Sequence, residues 1–177
     1  EAFCQLIGIP VVDLYGRKIN ALPTSITIGI KETAEMLEEA KANFIAGFKV
    51  IKIKTGLDVE QAIERVTKLH ELFGNKMHIR VDANQGYSLE NLQRFIQQTK
   101  NLSIELIEQP MEVGKENELA TLSEADRRLL AADETLIDAS TAMQLSHPPK
   151  PYSIFNIKLM KSGGIRGARE IGIIAAN

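Results

Sequence analysis

Residues 48–82, FKVIKIKTGLDVEQAIERVTKLHELFGNKMHIRVD, carry the clearest secondary-structure signal in the chain. A β-branched run spans Phe48–Lys54, and a second short apolar run spans Met77–Asp82. Between them, apolar residues recur at intervals of three and four over Asp58–Phe73. The outer patterns are typical of buried strands and the middle one of an amphipathic helix. Together they predict two parallel strands joined by a right-handed helical crossover.

The same alternation repeats along the rest of the chain. Four more strands are predicted, at Ser25–Ile30, Ile104–Ile107, Leu129–Ala132 and Ser153–Lys158. Five more helices are predicted, at Lys31–Ala46, Leu89–Thr99, Lys115–Ala125, Ala139–Leu145 and Ile165–Ala176. Six strand–helix units at a pitch of about 25 residues indicate an α/β fold with a parallel sheet. Because no glycine-rich phosphate loop follows the first strand, a (β/α) TIM-type barrel is favoured over a nucleotide-binding sheet, although periodicity alone does not separate open from closed sheets.

Composition limits the class of protein. The chain has 177 residues, a formal charge of -2 and 44% hydrophobic residues, which is typical of a globular domain and argues against a nucleic-acid-coating protein. Cys4 is the single cysteine, so no internal disulfide forms. Without a 20-residue apolar run or a signal peptide, we expect a cytoplasmic protein with no membrane partner. Because the chain begins with Glu1 and lacks a terminal helix-ending signal, we interpret it as part of a longer protein.

Carboxylates occur where three neighbouring predicted strands end. Asp82 ends the third strand, and Glu108 and Asp133 follow the fourth and fifth, at separations of 26 and 25 residues. The carboxyl ends of parallel strands share one edge of the sheet, where such folds place their function. Three carboxylates at one point repel one another unless a cation joins them. An all-oxygen ligand set suits Mg²⁺ or Mn²⁺, so the sequence predicts a site for one of these ions.

Lysines end two strands that an eight-stranded barrel places opposite each other. Lys52 and Lys54 are two residues apart on the second strand and so share a face. Each ammonium disfavours protonation of the other, which would bring the pKa toward the range of a catalytic base. Lys158 ends the predicted sixth strand, across the barrel axis. This layout suits removal of a proton beside a carboxylate from one face and its return to the other, through an enediolate stabilised by the cation.

Both the carboxylates and the lysines could instead have a purely structural role. Each acid could instead cap the helix that follows it, a common role of Asp in such loops, or pair with a surface lysine. Lys52 and Lys54 could be solvated on an edge strand, although their neighbours are unusually apolar for that position, or one of them could form a salt bridge with a neighbouring acid. Lys161, three residues beyond Lys158, is interpreted as a solvated side chain.

Five motifs resemble a known family. They are Lys52-Ile53-Lys54-Thr55-Gly56, Arg80-Val81-Asp82-Ala83-Asn84, Ile107-Glu108-Gln109-Pro110, Ala132-Asp133-Glu134 and Asn156-Ile157-Lys158-Leu159-Met160-Lys161-Ser162-Gly163-Gly164. In order and spacing, over residues 48–164, they resemble the muconate-lactonizing-enzyme subgroup of the enolase superfamily. Sites of this superfamily pair a Lys or His base with one or two Mg²⁺ ions.

The resemblance implies a role for each matching residue. It implies three magnesium ligands, namely Asp82, Glu108 and Asp133. Lys54 would be the base on one face of the substrate and Lys158 the acid or base on the other. Lys52 would lower the pKa of Lys54 or contact the substrate carboxylate. Asn84 and Glu134 would support the ligands from behind.

The run Thr24–Gly29 is similar to the first strand of dipeptide epimerases, isomerases that invert the α-carbon of the C-terminal residue in dipeptides such as Ala-Glu. We therefore expect Thr24, Thr27 and Asn84 to contact a small-molecule substrate, a dipeptide or another carboxylate. Family members also have an N-terminal α+β capping domain and two further strands. We expect residues 1–20 to be the end of that domain and a linker, and residues 21–177 to be a truncated barrel of about six βα units. Activity is expected of the full-length protein, as a homo-oligomer.

Other functions fit the same residues. An o-succinylbenzoate synthase, an N-acylamino acid racemase or a muconate cycloisomerase-type lyase could use the same metal and lysines. A Schiff-base aldolase could use Lys54 or Lys158, since a lysine of lowered pKa on a barrel strand also serves that chemistry. A binding scaffold or an inactive fragment is the non-enzymatic alternative.

Overall fold

A computed structural model describes residues 1–176 of the chain. Six parallel strands form one sheet in the order of the sequence, each paired with the next. The strands are β1 (Ser25–Ile28), β2 (Val50–Lys54), β3 (His78–Asp82), β4 (Ile104–Glu108), β5 (Leu130–Ala132) and β6 (Ile154–Phe155). Within residues 1–176 no strand pairs with the outer edge of β1 or β6. The predicted α/β fold is confirmed, and the arrangement fits a truncated barrel.

Helices precede the sheet and connect its strands. They are α1 (Ala2–Ile7), α2 (Val11–Leu14), α3 (Thr33–Ile45), α4 (Val59–Phe73), α5 (Leu89–Thr99), α6 (Glu116–Leu119), α7 (Glu124–Arg127), α8 (Ala139–Leu145) and α9 (Ile165–Ala175), with a 3₁₀ turn at Gly74–Lys76. Across the described residues, each helix is either too short or too polar to span a membrane.

The second strand–helix unit shows why these residues fold as they do. Ile51 and Ile53 are buried on the outer face of β2, against the helices, whereas Lys52 and Lys54 alternate with them on the other face. The side chain of Asp58 caps α4 by accepting hydrogen bonds from two backbone N–H groups of its first turn. The core therefore lies between the sheet and its helices, and the opposite face of the sheet carries the charged side chains.

Three predicted elements differ from the structure. The predicted helix Lys115–Ala125 is two short helices, because the side chain of Ser123 accepts a hydrogen bond from Asp126 N and starts a new helix there. Residues 11–14, predicted as part of a linker, form α2 directly after Pro10, a residue suited to helix starts. The last predicted strand is short, so that Lys158 lies three residues beyond β6. The predicted domain boundary at residue 20 stays a prediction. Asn177, the last residue of the predicted barrel, lies outside the described residues.

Candidate active site

Three buried carboxylates line the carboxyl edge of the sheet. Asp82 and Glu108 are paired residues at the ends of β3 and β4, and Asp133 directly follows β5. Their exposed fractions are 3%, 4% and 3%. We refer to Asp82, Glu108 and Asp133 as the carboxylate row. Buried charges are costly unless they are paired, so the partners of this row decide what the site can do.

A β-bulge brings Glu108 level with Asp82. Ile79 pairs with Ile104 but the next residue, Arg80, pairs with Leu106, so that Glu105 is an extra residue on β4. If the first register had continued, Asp82 would face Ile107 and Glu108 would point to the opposite side of the sheet. Glu105 is held by Arg80, whose Nε lies 2.6 Å from its carboxylate.

We expect Glu105→Gln to lower the thermal midpoint of the whole protein at pH 7, by an amount that shrinks as the pH falls towards 3. Arg80 holds the pKa of Glu105 below its ordinary value, against the opposing effect of burial. The ion pair therefore contributes stability above the ordinary glutamate pKa of about 4.3, and this contribution is lost as the pH falls through the lowered value. Because the pair is partly exposed, the effect is below about 1 kcal/mol.

Thermal melts of both proteins from pH 7 to pH 3 measure this difference. Glu124→Gln, at an exposed ion pair on α7, is the matched control and should show a smaller pH-dependent difference. A midpoint difference for Glu105→Gln that stays constant over this range would contradict the prediction.

Lys52 bridges two members of the carboxylate row. Its Nζ lies 2.9 Å from Asp82 Oδ2 and 2.8 Å from Glu108 Oε2. Burial alone would lower the pKa of Lys52, but the hydrogen bonds to Glu108 and Asp82 outweigh burial and raise it. This differs from the expectation of a lowered pKa, because the carboxylates are closer partners than another ammonium. Lys52 is thus a counter-ion that stays charged.

Asp133 is held by two lysines from the loop after β6. Lys158 Nζ contacts Asp133 Oδ2, and Lys161 Nζ contacts both Oδ1 and the backbone carbonyl oxygen of Asp133. Burial would raise the pKa of Asp133, but these lysines outweigh it and hold the pKa below its ordinary value. Lys161 is therefore part of the site, and its interpretation as a solvated side chain was wrong.

Glu108, in the middle of the row, has the opposite shift. Burial raises its pKa, with the Lys52 contact opposing and the neighbouring Asp82 adding to the rise. Asn156 Nδ2 donates to Glu108 Oε1 at 2.9 Å, and Lys158 Nζ lies 4.0 Å from the same oxygen. The positive charge around Glu108 therefore compensates its burial only in part.

Lys54 approaches the row from the other end. Its Nζ lies 3.9 Å from Asp82 Oδ2 and donates to Asn84 Oδ1 at 3.2 Å. Asn84 Nδ2 in turn donates to Glu134 Oε1 at 3.5 Å. The side chains of Lys54 and Lys158 are 40% and 48% exposed, against 17% for Lys52. Two accessible amines therefore flank a buried row of carboxylates, one at each end.

The backbone behind the carboxylate row has unusual conformations. Asn84, Gln85 and Gln109 have φ angles of 44°, 67° and 35°, in the left-handed region that non-glycine residues rarely adopt. Such conformations cost about 1–3 kcal/mol each and persist where the surroundings over-determine them, most often at functional sites.

The structure separates the two threonines predicted to contact substrate. Thr27 pairs with Lys52 and lines the same cavity of about 450 Å³ as Lys52 and Glu108. Thr24 precedes β1, at the amino end of the strand, and borders a different cavity with Phe48. Since the site lies at the carboxyl ends, Thr24 is not brought to it. A larger cavity of about 590 Å³, lined by Glu116 and His147 among others, contains none of the site lysines.

The donor set suits a hard divalent cation. Lysine ammonium groups lie among the carboxylates, and within residues 1–176 no group of three or more His, Cys, Asp or Glu side chains is itself arranged to hold a metal ion. Lys52 nevertheless shows that Asp82 and Glu108 can contact one cation together. Carboxylate oxygens without His or Cys are the ligands that Mg²⁺ and Mn²⁺ prefer. The residues present therefore fit such an ion.

Gln109 and Asn156 are site residues to which the sequence assigned no role of their own. Gln109 is fully buried, and its side chain contacts the backbone of Asp133. Its position in the sequence could have indicated such a role, because Gln109 lies directly between a predicted metal ligand and Pro110. Asn156 lay within a predicted strand, and the structure places it directly after β6, where its side-chain amide donates to Glu108.

Comparison with known proteins finds one family and a consistent set of relatives. A family model described as enolase C-terminal domain-like matches residues 35–177. An L-Lys-D/L-Arg epimerase of Desulforapulum autotrophicum is 49% identical over 173 residues, which are 98% of this chain and 49% of that protein. An L-Lys-D/L-Arg epimerase of Methylococcus capsulatus is 45% identical over 99% of this chain and 49% of its own length. The chain thus spans about half the length of the curated relatives it matches.

Solved structures agree with this similarity. The dipeptide epimerase from Methylococcus capsulatus complexed with Mg and the dipeptide L-Arg-D-Lys has a TM-score of 0.94 and 44% identity, over 99% of this chain and 49% of that one. The muconate lactonizing enzyme from Pseudomonas putida has a TM-score of 0.87 and 29% identity, over the same shares of the two chains.

Proposed function

This chain belongs to the enolase C-terminal domain-like family, and we propose that the whole protein is a magnesium-dependent dipeptide epimerase. The observation that carries this proposal is the pair of accessible lysines, Lys54 and Lys158, at the two ends of the carboxylate row. A substrate carbon between two amines can lose a proton on one face and gain one on the other, which is what inversion requires.

Each residue of the site has a proposed role. Asp82, Glu108 and Asp133 would hold Mg²⁺. When bound, that ion would supply the positive charge that stabilises the anion formed by removing a proton next to a carboxylate. In one direction, the neutral amine of Lys54 takes the α-proton and the ammonium of Lys158 donates one to the opposite face. In the other direction their roles reverse. A turnover leaves Lys54 protonated and Lys158 neutral, and exchange of one proton with water at each exposed amine restores the starting state.

Lys52 is proposed to have a different task from the other two lysines. It is largely buried and held by two carboxylates, so it is poorly placed to exchange protons with a substrate. Its positive charge offsets the repulsion between Asp82 and Glu108 at the edge of the sheet.

Dipeptides with basic side chains are the proposed substrates. The expectation from the first strand was a dipeptide such as Ala-Glu, but relatives at 49% and 45% identity are L-Lys-D/L-Arg epimerases. An L-Ala-D/L-Glu epimerase of Bacillus subtilis is 30% identical. The higher identity to the first pair supports a cationic substrate.

Deuterium exchange tests the proposal. The whole protein is incubated with Mg²⁺ and L-Lys-L-Arg in D₂O, with L-Ala-L-Glu as the comparison substrate, and the α-proton of the C-terminal residue is followed by NMR. We expect exchange together with formation of the D epimer, faster for L-Lys-L-Arg and abolished by EDTA. Absence of α-proton exchange with every dipeptide would overturn the proposal. Trapping of a carbonyl substrate by borohydride, with no effect of EDTA, would support a Schiff-base aldolase instead.

A further inference from the structure

The side chain of Gln109 is a fully buried amide placed directly after Glu108. A buried carboxamide is costly unless its donors and acceptor are all bonded. Gln109 meets this requirement with hydrogen bonds to three separate segments of the chain, all of them shielded from solvent. Its position next to a proposed metal ligand raises the question of what the amide holds in place.

The acceptor side of the amide binds the segment that follows β5. Gln109 Oε1 accepts hydrogen bonds from Asp133 N at 2.9 Å and from Thr135 N at 3.2 Å. Because both partners are backbone donors, the oxygen of the amide must face them and the nitrogen must point away. These two bonds fix the backbone from which the Asp133 carboxylate projects.

The donor side anchors the amide elsewhere. Gln109 Nε2 lies 3.0 Å from Met111 O, 2.8 Å from Thr135 Oγ1 and 3.0 Å from Tyr152 OH. Tyr152 precedes β6 and is 1% exposed. The amide is therefore held by the loop after β4, by Thr135 and by the approach to β6, and it cannot turn without breaking several buried bonds.

The sheet holds the backbone at Asp133 on one side only, where Ala132 O accepts a hydrogen bond from Asn156 N at 2.9 Å. The regular pairing of β5 ends at Ala132, which pairs with Phe155. The next backbone N–H, that of Asp133, goes to the side chain of Gln109 instead of to a strand. The third carboxylate of the row thus depends on a side chain for its backbone position, whereas Asp82 and Glu108 lie within paired strands.

We infer that Gln109 is a positioning residue that fixes Asp133 relative to Glu108, so that the two carboxylates can contact one cation. This inference rests on the proposed function for the identity of the cation. It assigns Gln109 no contact with substrate and no part in proton transfer.

The test compares Mg²⁺ affinity in variants of the whole protein. Gln109→Met keeps the length of the side chain and removes the bonds to Asp133 and Thr135. Loss of a residue that orients a metal ligand costs about 10–100-fold in metal affinity, and we expect a rise of that size in the Kd for Mg²⁺ measured by calorimetry. Tyr152→Phe is the matched control, because it removes a buried bond on the donor side and leaves the acceptor side intact. We expect it to lower the thermal midpoint while the Kd stays within about twofold.

The outcomes separate this inference from the proposed function. If the unmodified protein binds no Mg²⁺, the proposed function fails and this inference fails with it. If the unmodified protein binds Mg²⁺ and Gln109→Met binds it equally well, only the inference is overturned. Equal losses of Mg²⁺ affinity in Gln109→Met and Tyr152→Phe would also overturn it, because they would indicate that any broken buried bond near the site weakens Mg²⁺ binding. Should Gln109→Met not fold, Gln109→Asn, whose amide is drawn back by one methylene, makes the same comparison.

Discussion

Lys54→Ala and Lys158→Ala should each lower kcat for epimerisation by about 10²–10⁴-fold, the contribution usual for a positioned general acid or base. The two side chains reach the carboxylate row from opposite ends, through Asp82 and Asp133 respectively, and both are accessible to a substrate. Inversion needs a proton removed on one face and another delivered to the opposite face. Losing either amine therefore slows inversion strongly.

Isotope exchange distinguishes the loss of one catalytic amine from a general loss of activity. Each variant retains one lysine and should still exchange the α-proton of one epimer with D₂O, without inverting it. The epimer that exchanges should differ between Lys54→Ala and Lys158→Ala, because the remaining amines face opposite sides of the carbon. Chiral chromatography of the product together with NMR of the α-proton measures inversion and exchange separately.

Lys68→Ala is the matched control. Lys68 lies on the exposed face of α4, where it pairs with Glu64, and so lies outside the carboxylate row. Its loss should leave kcat unchanged. If both active-site variants exchanged the same epimer, or if either inverted substrate at the normal rate, the two-lysine mechanism would be contradicted.

The fold was readable from the sequence because each strand is a short apolar run between two helical patterns. Prediction was weakest where the length of a strand depends on hydrogen-bond pairing with its neighbour and not on its own composition. The run Ser153–Lys158 looks like a complete strand, yet β5 offers only three residues to pair with, and the regular ladder ends at Phe155. Lys158 therefore reaches the site from a loop, a difference that no local pattern could have indicated.

The acids and lysines of the candidate site were recognisable for a similar reason, since charged side chains at strand ends stand out against apolar runs. Their alignment was not. Glu108 lies level with Asp82 only because Glu105 is an extra residue in a bulge, and the spacing of the two acids does not reveal it. The role of Lys161 also depends on a turn that brings it back to Asp133. Thr24 looked equivalent to Thr27 in the sequence, but Thr24 precedes β1, whereas Thr27 lies within it, towards the carboxyl end.

Glu108→Gln should weaken Mg²⁺ binding by more than about 10²-fold, beyond the 10–100-fold expected when only a supporting residue is lost. Glu108 is the central member of the carboxylate row and shares the ammonium of Lys52 with Asp82. Glutamine keeps the shape of the side chain but removes the negative charge that a hard cation requires. Epimerisation should fall with the loss of metal and should not recover at moderate Mg²⁺ concentrations.

The folded state should survive this change. Lys52 retains Asp82 as a partner at 2.9 Å, so no buried cation is left without a counter-ion, the situation that makes broken ion pairs strongly destabilising. We therefore expect the thermal midpoint of Glu108→Gln in EDTA to stay near that of the unmodified protein. Glu105→Gln, three residues earlier on the same strand, is the control, because its side chain contacts Arg80 and lies outside the carboxylate row. It should keep its Mg²⁺ affinity, whereas tight Mg²⁺ binding by Glu108→Gln, measured by calorimetry on the folded variant, would remove Glu108 from the ligand set.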